Sequence, residues 1–192
     1  MRVIVDLDGV VFNFTDSLRL YLVQHCGRYE HELPDAKVWD FFIDQWGMTV
    51  EEFLDHCNAG VDAGVIFRQG PSWPGAVEGV QALKDRGHSV HILTDRSFGN
   101  LSPQNTIEWL KENEVPFDTI TFSADKTILQ ADLLIEDRDR NYLAVEAAGN
   151  ATPVLMTRPW NLDLVGARRV SDWPEFLELV DRWESYGTAS AS

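Results

Sequence analysis

Short runs of apolar, often β-branched residues alternate along this chain with longer amphipathic stretches. The short runs predict five strands, at residues 2–5, 90–93, 119–122, 133–135 and 153–156. Continuous apolar runs of this length suit strands that are covered on both faces. The amphipathic stretches predict helices at residues 76–86, 103–113, 141–148 and 173–183. Strand–helix alternation with short connections predicts a doubly wound α/β domain with a five-stranded parallel sheet.

One segment, residues 15–70, breaks this alternation. Roughly eighty residues separate the first two strands, far more than a single crossover connection needs. The segment is rich in aromatic residues, has helical patterns at 17–25 and 49–57, and shows little strand pattern. We therefore predict a small helical cap at 15–70, inserted after strand 1 and covering the carboxyl edge of the sheet. An α/β core is expected at 1–14 and 71–185, and a disordered tail at 186–192.

Composition and charge limit the classes of partner. The chain has 192 residues, 44% of them hydrophobic and 24% charged, which is typical of an ordinary globular domain. No apolar run approaches the roughly 18 residues needed to cross a bilayer, and the N-terminus lacks the pattern of a signal peptide. A net charge of −15 disfavours nucleic acids and anionic membranes as partners. We expect a cytoplasmic protein whose two cysteines, Cys26 and Cys57, are reduced.

Polar and charged side chains follow four of the predicted strands at the point where each strand ends. In chain order they are Asp6 and Asp8, Thr94 and Asp95, Lys126, and Glu136 and Asp137. Taken singly, each has an ordinary explanation as a turn residue, a helix cap or a solvated charge. Because ligands bind outside the carboxyl ends of strands in open α/β sheets, their joint placement favours a catalytic site.

The residue types at this edge are suited to phosphoryl transfer. A carboxylate cluster is costly unless a cation neutralises it, and oxygen ligands without histidine favour Mg²⁺. Asp6 leads directly off the first strand and is the predicted nucleophile, forming an aspartyl-phosphate. Asp8 is the predicted general acid and base. Thr94, the backbone amides near Asp95, and Lys126 are predicted to hold the phosphate oxygens.

These residues look like the four successive motifs of the haloacid dehalogenase superfamily, with Asp6-Leu7-Asp8-Gly9-Val10 as the first. The resemblance implies a sheet ordered 5-4-1-2-3, which brings Asp6 close to Asp137. It also implies that Mg²⁺ is bound by the Asp6 carboxylate, the Asp8 backbone carbonyl and the Asp137 side chain, with Glu136 supporting them from behind. The position of the insertion matches the helical cap of that superfamily.

A narrower resemblance, to the cytosolic and mitochondrial 5'(3')-deoxyribonucleotidases, rests on residues 73–77, 125–127 and 131–138. It implies that aromatic cap residues clasp the base of a nucleoside monophosphate. The candidates for contact with the substrate base are Phe12, Trp39, Phe41, Phe42, Phe67 and Arg96. For each aromatic residue the alternative is plain cap core. The chain departs from that family in having Asp95-Arg96 after Thr94, where a small residue and proline are usual, and Glu136 where aspartate is usual.

Together these observations predict a phosphatase that acts on a nucleoside 5'-monophosphate, with a deoxynucleotide preferred. A phosphatase for a sugar phosphate or another small metabolite, and a non-catalytic nucleotide-binding protein, are the alternatives. The base, the sugar and the acceptance of a 3'-phosphate stay open. So does the oligomeric state, for which a homodimer is one alternative.

Overall fold

The computed structural model describes residues 1–189 of the chain. It contains six strands and seven α-helices in this range. The strands are β1 (Arg2–Val5), β2 (Ser89–Thr94), β3 (Thr119–Phe122), β4 (Leu133–Glu136), β5 (Thr152–Met156) and β6 (Arg169–Val170). The helices are α1 (Phe14–His25), α2 (Phe41–Asp44), α3 (Val50–Asp62), α4 (Ala76–Asp85), α5 (Ser102–Glu112), α6 (Asp139–Ala148) and α7 (Trp173–Ala189).

The strands form one parallel sheet in the order β3-β2-β1-β4-β5-β6. The predicted doubly wound α/β class and the relative order of the five predicted strands are therefore confirmed. The predicted count was wrong by one, because β6 adds a strand beside β5. Its two residues, of which only Val170 is buried, are too few to produce a recognisable pattern in the sequence.

Strand β1 lies at the centre of the sheet and carries the start of the site. Val5 is aligned with Ile92 of β2 and with Ile135 of β4, so the carboxyl ends of the three strands lie at the same edge. Val3 and Val5 pack into the large core on one face, whereas Ile4 packs with Leu134 and other residues on the opposite face. Burial on both faces explains the continuous apolar runs that predicted these strands.

In the segment 15–70, the helical patterns predicted at 17–25 and 49–57 coincide with α1 and α3, whereas the short helix α2 between them was not predicted. The start of α3 has a capping box, in which Thr49 Oγ1 accepts from the Glu52 amide at 3.2 Å and Glu52 Oε2 accepts from the Thr49 amide at 2.8 Å. The chain enters and leaves this segment side by side, since the Asn13 amide donates to Pro71 O at 2.9 Å and the Trp73 amide to Val11 O at 2.8 Å.

The last helix is longer than predicted. It continues to Ala189, so four residues of the stretch expected to be disordered, 186–189, are helical; residues 190–192 lie outside the described part of the chain. The buried residues Phe176 and Val180 anchor the helix. Extending a helix that already exists costs much less than starting one. Within residues 1–189, no helix is both long enough and apolar enough to span a membrane.

Candidate active site

The chain turns sharply after β1 and places two carboxylates at the edge of the sheet. The amides of Val10, Val11 and Phe12 all donate to Leu7 O, at 3.1, 2.8 and 2.8 Å. Gly9 has φ +77°, and a Cβ at this position would lie 1.9 Å from Asp137 Oδ2. Glycine is therefore needed at position 9 for two reasons, the backbone conformation and the close approach of the Asp137 side chain.

Asp6, Glu136 and Asp137 form a buried acidic cluster. Each offers a carboxylate oxygen, and these oxygens lie within 4.8 Å of one another. Burial, followed by the charge of Asp6, raises the pKa of both Glu136 and Asp137. Glu136 Oε1 accepts from the backbone amides of Asp137 and Arg138, whereas the buried Glu136 Oε2 has no hydrogen-bond partner. A cluster with excess negative charge and an unpartnered oxygen fits a hard divalent cation.

Lys126 brings a positive charge to this cluster. Its Nζ donates to Asp6 Oδ1 at 2.8 Å and to Leu93 O at 2.7 Å, and it lies 3.9 Å from Glu136 Oε2. Burial by itself would lower the pKa of Lys126, but the carboxylates of Asp6 and Glu136 outweigh it and the pKa is raised. Lys126 is therefore a fixed cation beside the predicted nucleophile.

The two residues predicted to bind phosphate after β2 have different surroundings. Asp95 is exposed and lines the cavity described below. Thr94 is fully buried, its Oγ1 has no hydrogen-bond partner, and it is absent from the described residues that line that cavity. The contribution of Thr94 to phosphate binding stays a prediction.

A cavity of about 560 Å³ lies over the acidic cluster and is walled by the cap. Its polar lining includes Asp6, Asp8, Lys126, Glu136 and Asp137. Of the aromatic candidates, Trp39, Phe41, Phe42 and Phe67 line it. Sequence reasoning missed other lining residues, including Phe14, Phe53, Trp73, Phe98, Arg138, Arg140 and Trp160. Phe98 and Trp160 follow the carboxyl ends of β2 and β5, a position at which ligand contacts could have been expected.

The structure places Phe12 and Arg96 differently from the predicted contact with the base. Phe12 is fully buried and Arg96 is 4% exposed, and neither is among the described residues that line the cavity. Arg96 instead binds Asp8 in a bidentate manner, with Nε–Oδ2 at 3.0 Å and Nη2–Oδ1 at 2.9 Å. Withdrawal from water raises the pKa of Asp8, and the charge of Arg96 opposes this effect.

The loop after β5 holds the acidic cluster from the other side. Trp160 Nε1 donates to Asp137 Oδ2 at 2.9 Å, and Asn161 Nδ2 donates to Asp137 O at 2.6 Å. Arg158 Nε donates to Gly9 O at 2.7 Å. These bonds fix Asp137 and the turn after β1 relative to each other. None of the three residues was a candidate from the sequence, since their contacts depend on the close approach of distant loops.

The family model and the sequence relatives that match this chain are described as nucleotidases. The family model described as "5' nucleotidase, deoxy (Pyrimidine), cytosolic type C protein" matches residues 1–184. A protein of Chlorobaculum tepidum named "Putative 5'(3')-deoxyribonucleotidase" is 29% identical over 150 residues, which cover 76% of this chain and 73% of that protein. The mitochondrial 5'(3')-deoxyribonucleotidase of Mus musculus is 27% identical over 146 residues, 72% of this chain and 64% of that protein.

Solved structures share the fold. A haloacid dehalogenase-superfamily hydrolase, subfamily IA, variant 1, from Geobacter sulfurreducens superposes with a TM-score of 0.58 at 16% identity, covering 93% of this chain and 98% of that one. The D,D-heptose 1,7-bisphosphate phosphatase of B. bronchiseptica, complexed with magnesium and phosphate, has a TM-score of 0.53 at 15% identity, covering 95% and 99%. At these identities the likeness concerns the fold alone.

Proposed function

This chain belongs to the family of cytosolic type C 5'-nucleotidases, and from this premise we propose that it hydrolyses (deoxy)nucleoside 5'-monophosphates in a Mg²⁺-dependent reaction. The observation that carries the proposal is the placement of Asp6, Asp8, Lys126 and Asp137 around the floor of one cavity whose walls are aromatic. A cytoplasmic location belongs to the same proposal, supported by the family's description and by two cysteines that are free.

The chemistry divides between the two aspartates after β1. Asp6 attacks phosphorus, and the bond from phosphorus to the nucleoside 5'-oxygen breaks. Asp8 gives its proton to that oxygen, and then takes a proton from the water that attacks the phosphorus of the aspartyl-phosphate. This attack breaks the bond between phosphorus and the Asp6 carboxylate, which releases inorganic phosphate and restores both aspartates. Lys126, fixed 2.8 Å from Asp6, offsets the negative charge of the transferring group.

The acidic cluster supplies ligands for the metal. The carboxylates of Asp6 and Asp137 and the backbone carbonyl of Asp8 would hold Mg²⁺, and the unpartnered Glu136 Oε2 supports the presence of a cation close by. When bound, Mg²⁺ neutralises the repulsion between the attacking carboxylate and the phosphate oxygens.

The aromatic wall supplies a surface for a base. Phe42 and Phe53 lie stacked with ring centroids 4.0 Å apart, and Phe67 and Phe98 lie stacked at 6.3 Å. All four rings line the cavity, so a planar base entering it would meet aromatic faces and edges. Arg138 and Arg140 also line it and attract an anion to a protein whose net charge is −15.

The proposal is tested by measuring phosphate release from a panel of nucleoside 5'- and 3'-monophosphates, deoxynucleotides and sugar phosphates, each with Mg²⁺ and with EDTA. We expect nucleotides to be preferred over sugar phosphates and EDTA to abolish release. Equal rates on sugar phosphates would favour a phosphatase for another metabolite. Binding of nucleotides without any metal-dependent release would identify a non-catalytic binding protein.

Replacing one cavity ring should affect binding of the base more than the chemistry. We expect Phe42→Ala to raise KM for a nucleoside 5'-monophosphate about tenfold, because a stacked base contributes about 1–3 kcal/mol. KM for glycerol phosphate, which has no base, should change little. Ile43→Ala is a matched control, since Ile43 is the next residue, is 43% exposed and is absent from the described residues that line the cavity. An equal rise of KM on both substrates would contradict a base-binding role.

Metal binding should be visible in stability. We expect Mg²⁺ at tenfold its dissociation constant to raise the melting temperature of the wild type by about 3–6 °C, since a ligand that binds only the folded state stabilises it. Asp137→Asn should lose most of this shift, whereas Asp139→Asn, which changes an exposed carboxylate two residues further on, should keep it. A full shift in Asp137→Asn would contradict the metal site.

A further inference from the structure

Arg96 uses every nitrogen of its guanidinium on neighbours inside the protein. Nε and Nη2 donate to the two oxygens of Asp8, and Nη1 donates to Thr106 Oγ1 at 3.0 Å. Thr106 Oγ1 donates in turn to Ser102 O at 2.8 Å. Ser102 Oγ donates to the backbone carbonyl of Arg96 at 2.6 Å. The first turns of α5 therefore set the position of both the backbone and the side chain of Arg96.

Two aromatic rings pack against the same guanidinium. Its central carbon lies 4.6 Å from the ring centroid of Phe12 and 4.4 Å from that of Phe67. Phe12 lies where the chain leaves β1 for the cap, and Phe67 lies where the chain returns from the cap to the core. Phe67 has φ +63°, a conformation that costs a non-glycine residue energy and persists only where the surroundings impose it.

Arg96 thus links Asp8 to both connections between the core and the cap. Asp8 by itself lies on a turn and keeps 26% of its side chain exposed to the cavity, whereas the Arg96 side chain is fully buried. A planar fork that binds both carboxylate oxygens fixes the rotation of the carboxylate as well as its position. The bidentate contact therefore fixes how Asp8, which lines the cavity, presents its carboxylate there.

We propose that Arg96 is a positioning residue, which orients Asp8 for proton transfer to the departing nucleoside oxygen. This inference rests on the proposed phosphatase function. General acid catalysis requires the acid to lie within hydrogen-bond reach of the leaving oxygen, and small misplacements of a catalytic group are costly. Arg96 is itself shielded from the cavity and does not touch the substrate.

The dependence of kcat/KM on the leaving group of the substrate distinguishes this positioning role from general support of the fold. An alkoxide leaving group, as in a nucleotide, needs a proton, whereas p-nitrophenolate departs without one. We expect Arg96→Lys, which keeps the charge and loses the fork, to lower kcat/KM for a nucleoside 5'-monophosphate about 10- to 100-fold. The kcat/KM for p-nitrophenyl phosphate, which reports the step that forms the aspartyl-phosphate, should stay within about threefold of the wild type.

Arg68→Lys is the matched control. Arg68 follows Phe67 and forms ion pairs with Glu108 and Glu112 on α5, so it also links the returning connection to the core, but it does not contact Asp8. We expect this variant to leave the ratio of the two kcat/KM values unchanged. In an Asp8→Asn background, Arg96→Lys should add no further loss on the nucleotide, because the acid that it orients is gone.

Equal losses of Arg96→Lys on both substrates, or no loss on either, would overturn the inference while leaving the proposed function standing. A wild type that releases phosphate from neither substrate would remove the proposed function and this inference with it. Thr106→Val removes the third hydrogen bond of Arg96 without changing Arg96 or Asp8. If Arg96→Lys fails to fold, a smaller loss in Thr106→Val that is selective for the nucleotide supports the inference, and a uniform loss or none overturns it.

Discussion

Asp6→Asn is expected to lower turnover of nucleoside 5'-monophosphates by at least about 10⁴-fold, because an amide oxygen is too weak a nucleophile to form the covalent intermediate. The fold should be retained, since asparagine has nearly the shape of aspartate and keeps an oxygen for the Lys126 ammonium, which lies 2.8 Å from Asp6 Oδ1. The change also removes one negative charge from a buried cluster of three carboxylates. The measurement is phosphate release at saturating substrate, with circular dichroism as the check on folding.

Asp163→Asn is the control for this variant, because Asp163 is an exposed aspartate outside the described residues that line the cavity. It should have wild-type turnover. Folded Asp6→Asn protein with turnover within tenfold of the wild type would exclude Asp6 as the nucleophile and would leave Asp8 or a directly activated water as the attacking group.

Lys126→Met is expected to lower both stability and activity. Lys126 is 3% exposed. Its ammonium donates to Asp6 Oδ1 and Leu93 O and lies 3.9 Å from Glu136 Oε2. Removing it leaves buried carboxylates without their cation, a change that costs about 3–5 kcal/mol in the free energy of unfolding. Turnover should fall about 10²- to 10³-fold, as for other fixed groups that stabilise charge in a transition state. Methionine keeps the apolar volume of the stem, so a cavity contributes little.

Lys84→Met is the matched control for stability. Lys84 also pairs with a carboxylate, donating to Asp118 Oδ1 at 2.6 Å, but both side chains of this pair are partly exposed. Surface pairs contribute about 0–1 kcal/mol. Urea unfolding without Mg²⁺ should therefore separate the two variants by at least about 2 kcal/mol at unchanged slope. Equal destabilisation would show that the buried charge is not what makes Lys126 structurally important.

The polar part of the site could be predicted because it depends on where strands end. Asp6, Lys126 and Asp137 each follow a predicted strand, and a parallel sheet brings such positions to one edge whatever the details of packing. The buried aromatic wall was predictable as a class, from the composition of the cap. The sequence could not predict which of these rings line the cavity. Phe12 and Phe67 are both phenylalanines and their ring centroids lie 6.4 Å apart, yet of the two only Phe67 lines it.

Arg96 illustrates what the sequence could not supply. It follows the end of a strand, as the site residues do, and its type suits a nucleotide, so contact with the substrate was a reasonable prediction. Its actual partner, Asp8, is 88 residues away in the chain. Whether Arg96 contacts the substrate or Asp8 depends on the direction of its side chain. That direction is set by hydrogen bonds to residues of α5 and by the two rings that pack against the guanidinium. The loop that contains Trp160 and Asn161 was missed for the same reason.

The most direct test of the proposed mechanism is to trap the phosphoryl group on the enzyme. A nucleoside 5'-monophosphate carrying ³²P should be mixed with enzyme and Mg²⁺, quenched in acid within milliseconds, and the labelled peptide identified. The proposal predicts label on the peptide that contains Asp6 and none in Asp6→Asn. With ³²P-labelled p-nitrophenyl phosphate, whose leaving group needs no proton, Asp8→Asn should accumulate more label than the wild type, because the attacking water lacks its base. Product formation without any label on wild-type or Asp8→Asn protein, or label on a different residue, would contradict it.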